Sequence, residues 1–321
     1  ELDAEIRTYL TEKVHRAPDE RRRVDQVQDL IFNRLDLQYA LFPTRNAVET
    51  YRSREGNCLS FVNLFVGIAR HQGLNPAYYE VNDLQRWNRR EGLVVSQGHI
   101  VAGMMVKGKL STFDFLPYRP KSYRDFKQID DVTAAAHFYN NIGAEALMEG
   151  DVDRAVALIT TATRIAPRFD KAINNLGVCH ARRGEYEKAL EIYQRGLAID
   201  PDNTLILSNV ARAYQQMGRP QEALALLEKI EGVNTTNPYF YLYQGELALA
   251  DGKTDKAIEY MKRALKQDSE VPEVHLGFVK VYMALGEMEN ARHHLSRALR
   301  LDATNREALE FARLLGEIKT K

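Results

Sequence analysis

Apolar residues in this chain keep three different rhythms, and each predicts a different kind of element. Cys58, Phe61, Val62, Phe65, Ile68 and Ala69 follow helical spacing, which predicts a helix with one buried face. Asn57 stands where such a helix would be capped, and Gly73 stands where it would stop. Between Thr44 and Val81 the chain therefore reads helix, tight turn, helix, turn, strand. Upstream, Val24, Val27, Leu30, Ile31 and Leu35 form a second helical stripe, so Leu2 to Leu41 is expected to be mostly helical and to cover the domain. Val94 to Val106 and Leu110 to Phe115 read as strands, a hairpin turning at Lys107-Gly108. The polar stretch Asn82 to Gly92, with the only tryptophan, Trp87, reads as a loop that borders a cleft or packs on the domain surface.

The third rhythm is much longer. Ala155, Ala189, Ala223, Ala257 and Ala291 stand 34 residues apart, and Gly150, Gly184, Gly218, Gly252 and Gly286 precede them in the same register. So strict a period predicts stacked helix-turn-helix units, with the turn at the glycine and close helix contact at the alanine. Five units begin at Ala136, Asp170, Thr204, Pro238 and Pro272, and Arg306 to Ile318 reads as one more amphipathic helix capping the stack through Leu309, Ala312, Leu315 and Ile318. The third unit ends irregularly at Glu231-Gly232-Val233-Asn234, where the next junction could bend. The boundaries are thus 1–131 for the first domain, with a helical cover over 1–41, and 132–321 for the second, with repeats over 136–305 and a cap over 306–318.

Charge narrows the partners. Of the 321 residues, 44 are Lys or Arg and 44 are Asp or Glu, so the net charge is zero and no concentrated basic face suits nucleic acid. Arg21, Arg22 and Arg23 and the tract Tyr118 to Lys127 read as solvated linker. No apolar run approaches a membrane span. The two cysteines, Cys58 and Cys179, fall in different domains, which argues against a structural disulfide, and Cys179 reads as a small buried residue of a repeat helix. Gly252-Lys253-Thr254 imitates a phosphate loop but lacks its earlier glycine, replaced by Leu247. His293 and His294 are helix neighbours about 100° apart and cannot clamp one metal.

The repeat half resembles the tetratricopeptide repeat family. Small residues fill its eighth position at Gly143, Gly177, Ala211 and Gly245, with Val279 departing, and bulky ones fill the twenty-fourth at Ile159, Tyr193, Leu227, Met261 and Leu295. The resemblance implies an all-α solenoid whose groove takes a protein or peptide partner. Asn141, Asn175 and Asn209 share one position in three successive units and could grip a peptide backbone, since an amide both donates and accepts; they could equally be tolerated polar residues of a wet surface.

Cys58 falls in the first turn of its helix, where unpaired amides and the helix dipole favour a thiolate. A two-residue turn at Lys107-Gly108 pairs Val106 with Lys109 and sets Asp114 opposite Val101, so Asp114 and His99 share a face as diagonal neighbours. Arg54-Glu55-Gly56-Asn57-Cys58 with its aromatic helix, then Gly98-His99, then Phe113-Asp114 resemble the transglutaminase-like fold of papain-like cysteine enzymes, from Thr44 to Tyr118. That likeness implies an α+β domain in which Cys58 is the nucleophile, His99 the base and then the acid, Asp114 the residue holding the imidazole, and the Cys58 N–H one oxyanion donor. It implies a hydrolase or acyltransferase acting on a protein or peptide amide, with no metal or organic cofactor. Two other readings stay open: an adaptor whose first domain is silent, and a redox-sensing thiol at Cys58. The start at Glu1 raises the expectation of a removed signal peptide, lipoprotein leader or trimmed segment, and the family likeness that of a bacterial cell-envelope protein.

Overall fold

The computed structural model describes residues 2–14, 16–90, 93–116, 123, 125–229 and 235–316. By packing, the chain forms two compact units: residues 1–90 with 95–183, and residues 184–321 with 91–94.

In the first unit, α1 (Ala4–Lys13) and α2 (Glu20–Asp29), the latter running on as a π-helical turn over Leu30–Arg34, cover one side of a mixed core. The predicted stripe is the buried one, with Val27 and Leu30 fully enclosed. After the short strand β1 (Gln38–Tyr39) come α3 (Ala47–Ser53), β2 (Glu55–Gly56) and α4 (Cys58–His71). β1 and β2 pair in parallel, and Arg54 makes the turn between α3 and β2 with φ +60°. α4 is buried on most of its circumference, Leu59, Val62, Leu64, Phe65 and Ile68 among its enclosed residues, so it is the central helix of the core. Gly73, at φ +71°, ends it as expected.

Four strands make the sheet, β3 (Ala77–Arg90), β4 (Leu93–Val106), β5 (Lys109–Phe113) and β6 (Phe126–Ile129), in the order β5-β4-β3-β6. The β4–β5 hairpin has the predicted register: Val106 faces Lys109 and Ala102 faces Phe113. Lys107 and Gly108, at φ +51° and +77°, form the two-residue turn that fixes it.

Three linker expectations need correction. Asn82 to Arg90 is strand, not loop: polar composition does not forbid a strand when antiparallel neighbours satisfy its backbone. Trp87 falls within β3, while Glu91 and Gly92 lie outside the described residues. Arg21 to Arg23 belong to α2, and Arg23 donates to the carbonyls of Gln72 and Gly73 at 3.2 and 3.4 Å, satisfying the end of α4. Of the tract Tyr118 to Lys127, Phe126 and Lys127 open β6, which pairs with β3 from Tyr78↔Ile129 to Val81↔Phe126; residues 118–122 and 124 lie outside the described residues.

The first unit continues into α5 (Asp131–Glu149), α6 (Val152–Ile165) and α7 (Asp170–Arg182). α5 begins five residues before Ala136, on an N-cap from Asp130. α5 and α6 touch through Gly143, where a Cβ would lie 2.5 Å from Cγ1 of Ile159.

The second unit holds α8 (Tyr186–Leu197), α9 (Thr204–Gln216), α10 (Pro220–Lys229), α11 (Pro238–Ala250), α12 (Thr254–Gln267), α13 (Pro272–Ala284), α14 (Met288–Leu301) and α15 (Arg306–Leu314). The five periodic alanines of the chain are fully buried and the five glycines have φ between +71° and +89°, the left-handed turns that the period predicts. α15 buries Ala308 and Ala312 with Phe311 and Leu315 beside them, and stops at Leu314 ahead of a left-handed Gly316. Ile318 and the junction 231–234 lie outside the described residues. Gly252-Lys253 is a repeat turn, and Lys253 pairs with Asp251. His294 meets His275 across helices, Nδ1 to Nδ1 at 3.1 Å, while the His293 ring stands at 87° to it.

Candidate functional site

Three features of the local sequence fix Cys58. Arg54 closes α3 in the left-handed region, β2 pairs with β1, and Asn57 then caps α4, its Oδ1 accepting from the backbone N–H of Ser60 at 3.1 Å and from the Ser60 hydroxyl at 3.0 Å. Cys58 is the next residue, the first of the helix, and its side chain is partly exposed. Its backbone N–H is one of the amides that a helix leaves without an internal partner.

The hairpin brings the other two residues. Phe113 and Phe115 turn into the core, Phe113 stacking on Phe65 with centroids 4.4 Å apart and Phe115 meeting Phe61 edge-on at 5.7 Å. Alternation then sends Asp114 between them to the opposite side, where Oδ1 lies 3.0 Å from Nε2 of His99. Both side chains are buried, at 5% exposure for His99 and 9% for Asp114, so this pair is shielded from water. The thiol of Cys58 is a hydrogen-bond partner of the same imidazole. The structure thus brings Cys58, His99 and Asp114 together.

Electrostatics follow from these contacts. Burial works to discharge His99, but the bonds to Asp114 and Cys58 outweigh it and push the imidazole up to about 9. Burial likewise works to raise Asp114, and the His99 bond and charge, with help from Tyr123 and the Leu116 N–H at 3.1 Å, hold its carboxyl below the ordinary range. Both contacts favour the protonated ring, which donates to the carboxylate.

Tyr123 is a member of this site that the sequence reading missed. Its hydroxyl donates to Asp114 Oδ2 and lies 3.3 Å from His99 Nε2. No local pattern marks it, since Tyr123 belongs to no helix or strand. Thr44 was also missed: its hydroxyl accepts from Asn57 Nδ2 at 2.7 Å and donates to Glu145 of α5 at 2.6 Å.

The three asparagines of the repeat series lie on α5, α7 and α9. Asn175 is 1% exposed, and its Nδ2 donates to Oδ1 of Asn140, not to Asn141, at 2.9 Å. Its own Oδ1 accepts from Asn174 at 3.2 Å. Asn141 is half-buried on α5, and Asn209, in the second unit, is buried on α9. Cys179 is fully enclosed, and burial pushes its thiol up to about 12. Among the described residues, no helix is long and apolar enough to cross a membrane.

Comparison with known proteins finds two families along the chain. Residues 7–114 match the transglutaminase-like superfamily, and residues 170–231, 211–272 and 248–315 match tetratricopeptide repeats. No curated protein matches the chain. Among solved structures it is similar to a thermophilic tetratricopeptide repeat protein of Thermus thermophilus, with 21% identity and a TM-score of 0.51 over 57% of this chain and 100% of that one. It is also similar to the APC/C hetero-tetramer Cut9-Hcn1, with 16% identity and a TM-score of 0.51 over 56% of this chain and 36% of that one. At these identities the likeness is one of fold.

Proposed function

The chain carries a transglutaminase-like domain followed by tetratricopeptide repeats, and from that premise we propose that it is a cysteine-dependent hydrolase or acyltransferase acting on a protein or peptide amide. The observation that carries the reading is a single buried imidazole in contact with both the Cys58 thiol and the Asp114 carboxylate. In this reading the sulfur of Cys58, its proton resting on His99, attacks the amide carbonyl carbon. A C–S bond forms, the carbonyl electron pair moves to oxygen, and the Cys58 N–H receives that oxyanion. Collapse breaks the C–N bond, and His99 gives its proton to the departing amine. Water then attacks the thioester while His99 takes a proton from it, releasing the acid and restoring the thiol. Asp114 holds the ring in place throughout, and Tyr123 holds Asp114. The repeats supply a surface for a protein or peptide partner, with Asn141, Asn175 and Asn209 on the candidate helices.

An activated ester tests the chemistry without a known substrate. With p-nitrophenyl acetate the protein should release p-nitrophenolate and carry an acetyl group on Cys58 in its intact mass spectrum. Cys58→Ser and His99→Ala should abolish that adduct. An adduct elsewhere, or one unaffected by His99→Ala, would leave a silent domain joined to an adaptor arm.

A further inference from the structure

α4, the helix that starts at Cys58, is held at both ends by α5, the first helix of the repeat region. Near the start of α4, Glu145 accepts two bonds from the Thr44 backbone N–H, at 2.8 and 3.1 Å, and one from the Thr44 hydroxyl at 2.6 Å. That hydroxyl accepts from Asn57 Nδ2, and Asn57 caps the Ser60 amide. Near the far end, Arg70 forms a two-bond ion pair with Asp131, at 2.6 and 2.7 Å.

The spacing fits two antiparallel helices. Asn57 and Arg70 are 13 positions apart and Asp131 and Glu145 are 14 apart, so each pair of attachment points spans about 20 Å at helical rise. The two attachments differ in kind. Arg70 and Asp131 are exposed, whereas Thr44 is 5% and Asn57 7% exposed, so the pair at the start of α4 works where water does not compete. Every donor in the chain Asn57, Thr44, Glu145 points toward the carboxylate, which leaves one consistent orientation of the Asn57 amide, with Oδ1 aimed at the first turn of α4.

We propose that Glu145 is a positioning residue for Cys58, acting through Thr44 and Asn57, so that the first repeat helix is a working part of the candidate active site and not a separable arm. The claim that it tunes reactivity rests on Cys58 being the nucleophile; the claim that it sets the helix cap does not. A partner that shifts α5 would, by the same path, change the first turn of α4.

The test uses full-length Glu145→Ala, Glu145→Gln and Thr44→Val, with two readouts: amide exchange of Ser60 and the pH profile of Cys58 alkylation by iodoacetamide. Glu145→Ala should speed Ser60 exchange and slow alkylation at neutral pH, each roughly fivefold, the rate equivalent of one lost cap. Thr44→Val, which deletes one hydroxyl with little change of shape, should do the same even if Glu145→Ala folds poorly. Glu145→Gln keeps an acceptor for Thr44 and should stay within about twofold of the unmodified protein. Lower thermal stability in Glu145→Ala and Thr44→Val with an unchanged Ser60 amide and alkylation profile would overturn the proposal, reducing Glu145 to a packing contact within the first unit. If Cys58 in the unmodified protein reacts no faster than free cysteine, the nucleophile reading falls, and Ser60 exchange alone decides the coupling.

Discussion

Replacing Asp114 with Asn removes a charge from a buried pair and changes little else. In the intact site His99 titrates at about 9 against 6.5 for a free imidazole. That difference favours the protonated ring by roughly 3 kcal/mol. His99 is 5% exposed, so solvent screening takes little from this figure, and burial alone would have pushed the other way. The Asp114 and Cys58 contacts therefore supply more than the net. An asparagine oxygen can still accept from Nε2 but carries no charge, so in Asp114→Asn the ring should titrate well below 9. Ring C–H chemical shifts followed against pH measure this directly, with Cys58→Ala isolating the share of the sulfur. Linkage gives a second reading. A folded-state pKa above the unfolded one stabilises the fold fully below about 6.5, and that stability is lost as pH rises through about 9. The melting temperature of the unmodified protein should thus fall more steeply across that window than that of Asp114→Asn. A ring that still titrates near 9 in Asp114→Asn would refute the assignment of the carboxylate.

Other consequences are simpler to check. Cys179 is enclosed and its thiol is pushed up to about 12, so brief alkylation of the folded protein followed by peptide mapping should label Cys58 and spare Cys179; labelling of both would contradict the packing of α7. Tyr123→Phe strips one donor from Asp114 and should cost about 1 kcal/mol in urea unfolding, with a smaller loss of acetylation rate than Asp114→Asn causes. An equal or larger loss would give Tyr123 a direct part in the chemistry. Gly143→Val sets its Cβ 2.5 Å from Ile159 Cγ1, and overpacking there should cost about 1–3 kcal/mol by thermal unfolding; a neutral result would mean that α5 and α6 can part freely.

Local rules made the repeats and the hairpin legible. Each repeat must turn at one point and pack at another, and only a glycine and an alanine suit those points, so the requirement is written five times at a fixed period. The hairpin is legible because two residues close it: once Lys107-Gly108 is the turn, parity sets Asp114 on the side of His99. The N-cap at Asn57 is equally local. What escaped was long-range. Asn82 to Arg90 and Phe126 to Ile129 are strands because of their neighbours in the sheet, not because of their own alternation. Thr44 and Glu145 are 101 residues apart, and Tyr123 reaches Asp114 from outside any periodic element, so neither left a pattern to read. The asparagines illustrate the same limit on a smaller scale. Repeat position places Asn141, Asn175 and Asn209 on equivalent helices but does not show that Asn175 is bonded to Asn140.

In the proposed chemistry the sulfur of Cys58 is made reactive by an imidazole that a carboxylate keeps charged. The rate of Cys58 alkylation by iodoacetamide, followed from mildly acid to alkaline pH in the unmodified protein and in His99→Ala, tests it most directly. Cys58 should react in mildly acid solution far faster than free cysteine, and should lose this advantage when His99 is replaced. Identical profiles for the two proteins, each rising only in the alkaline range of an ordinary thiol, would contradict it.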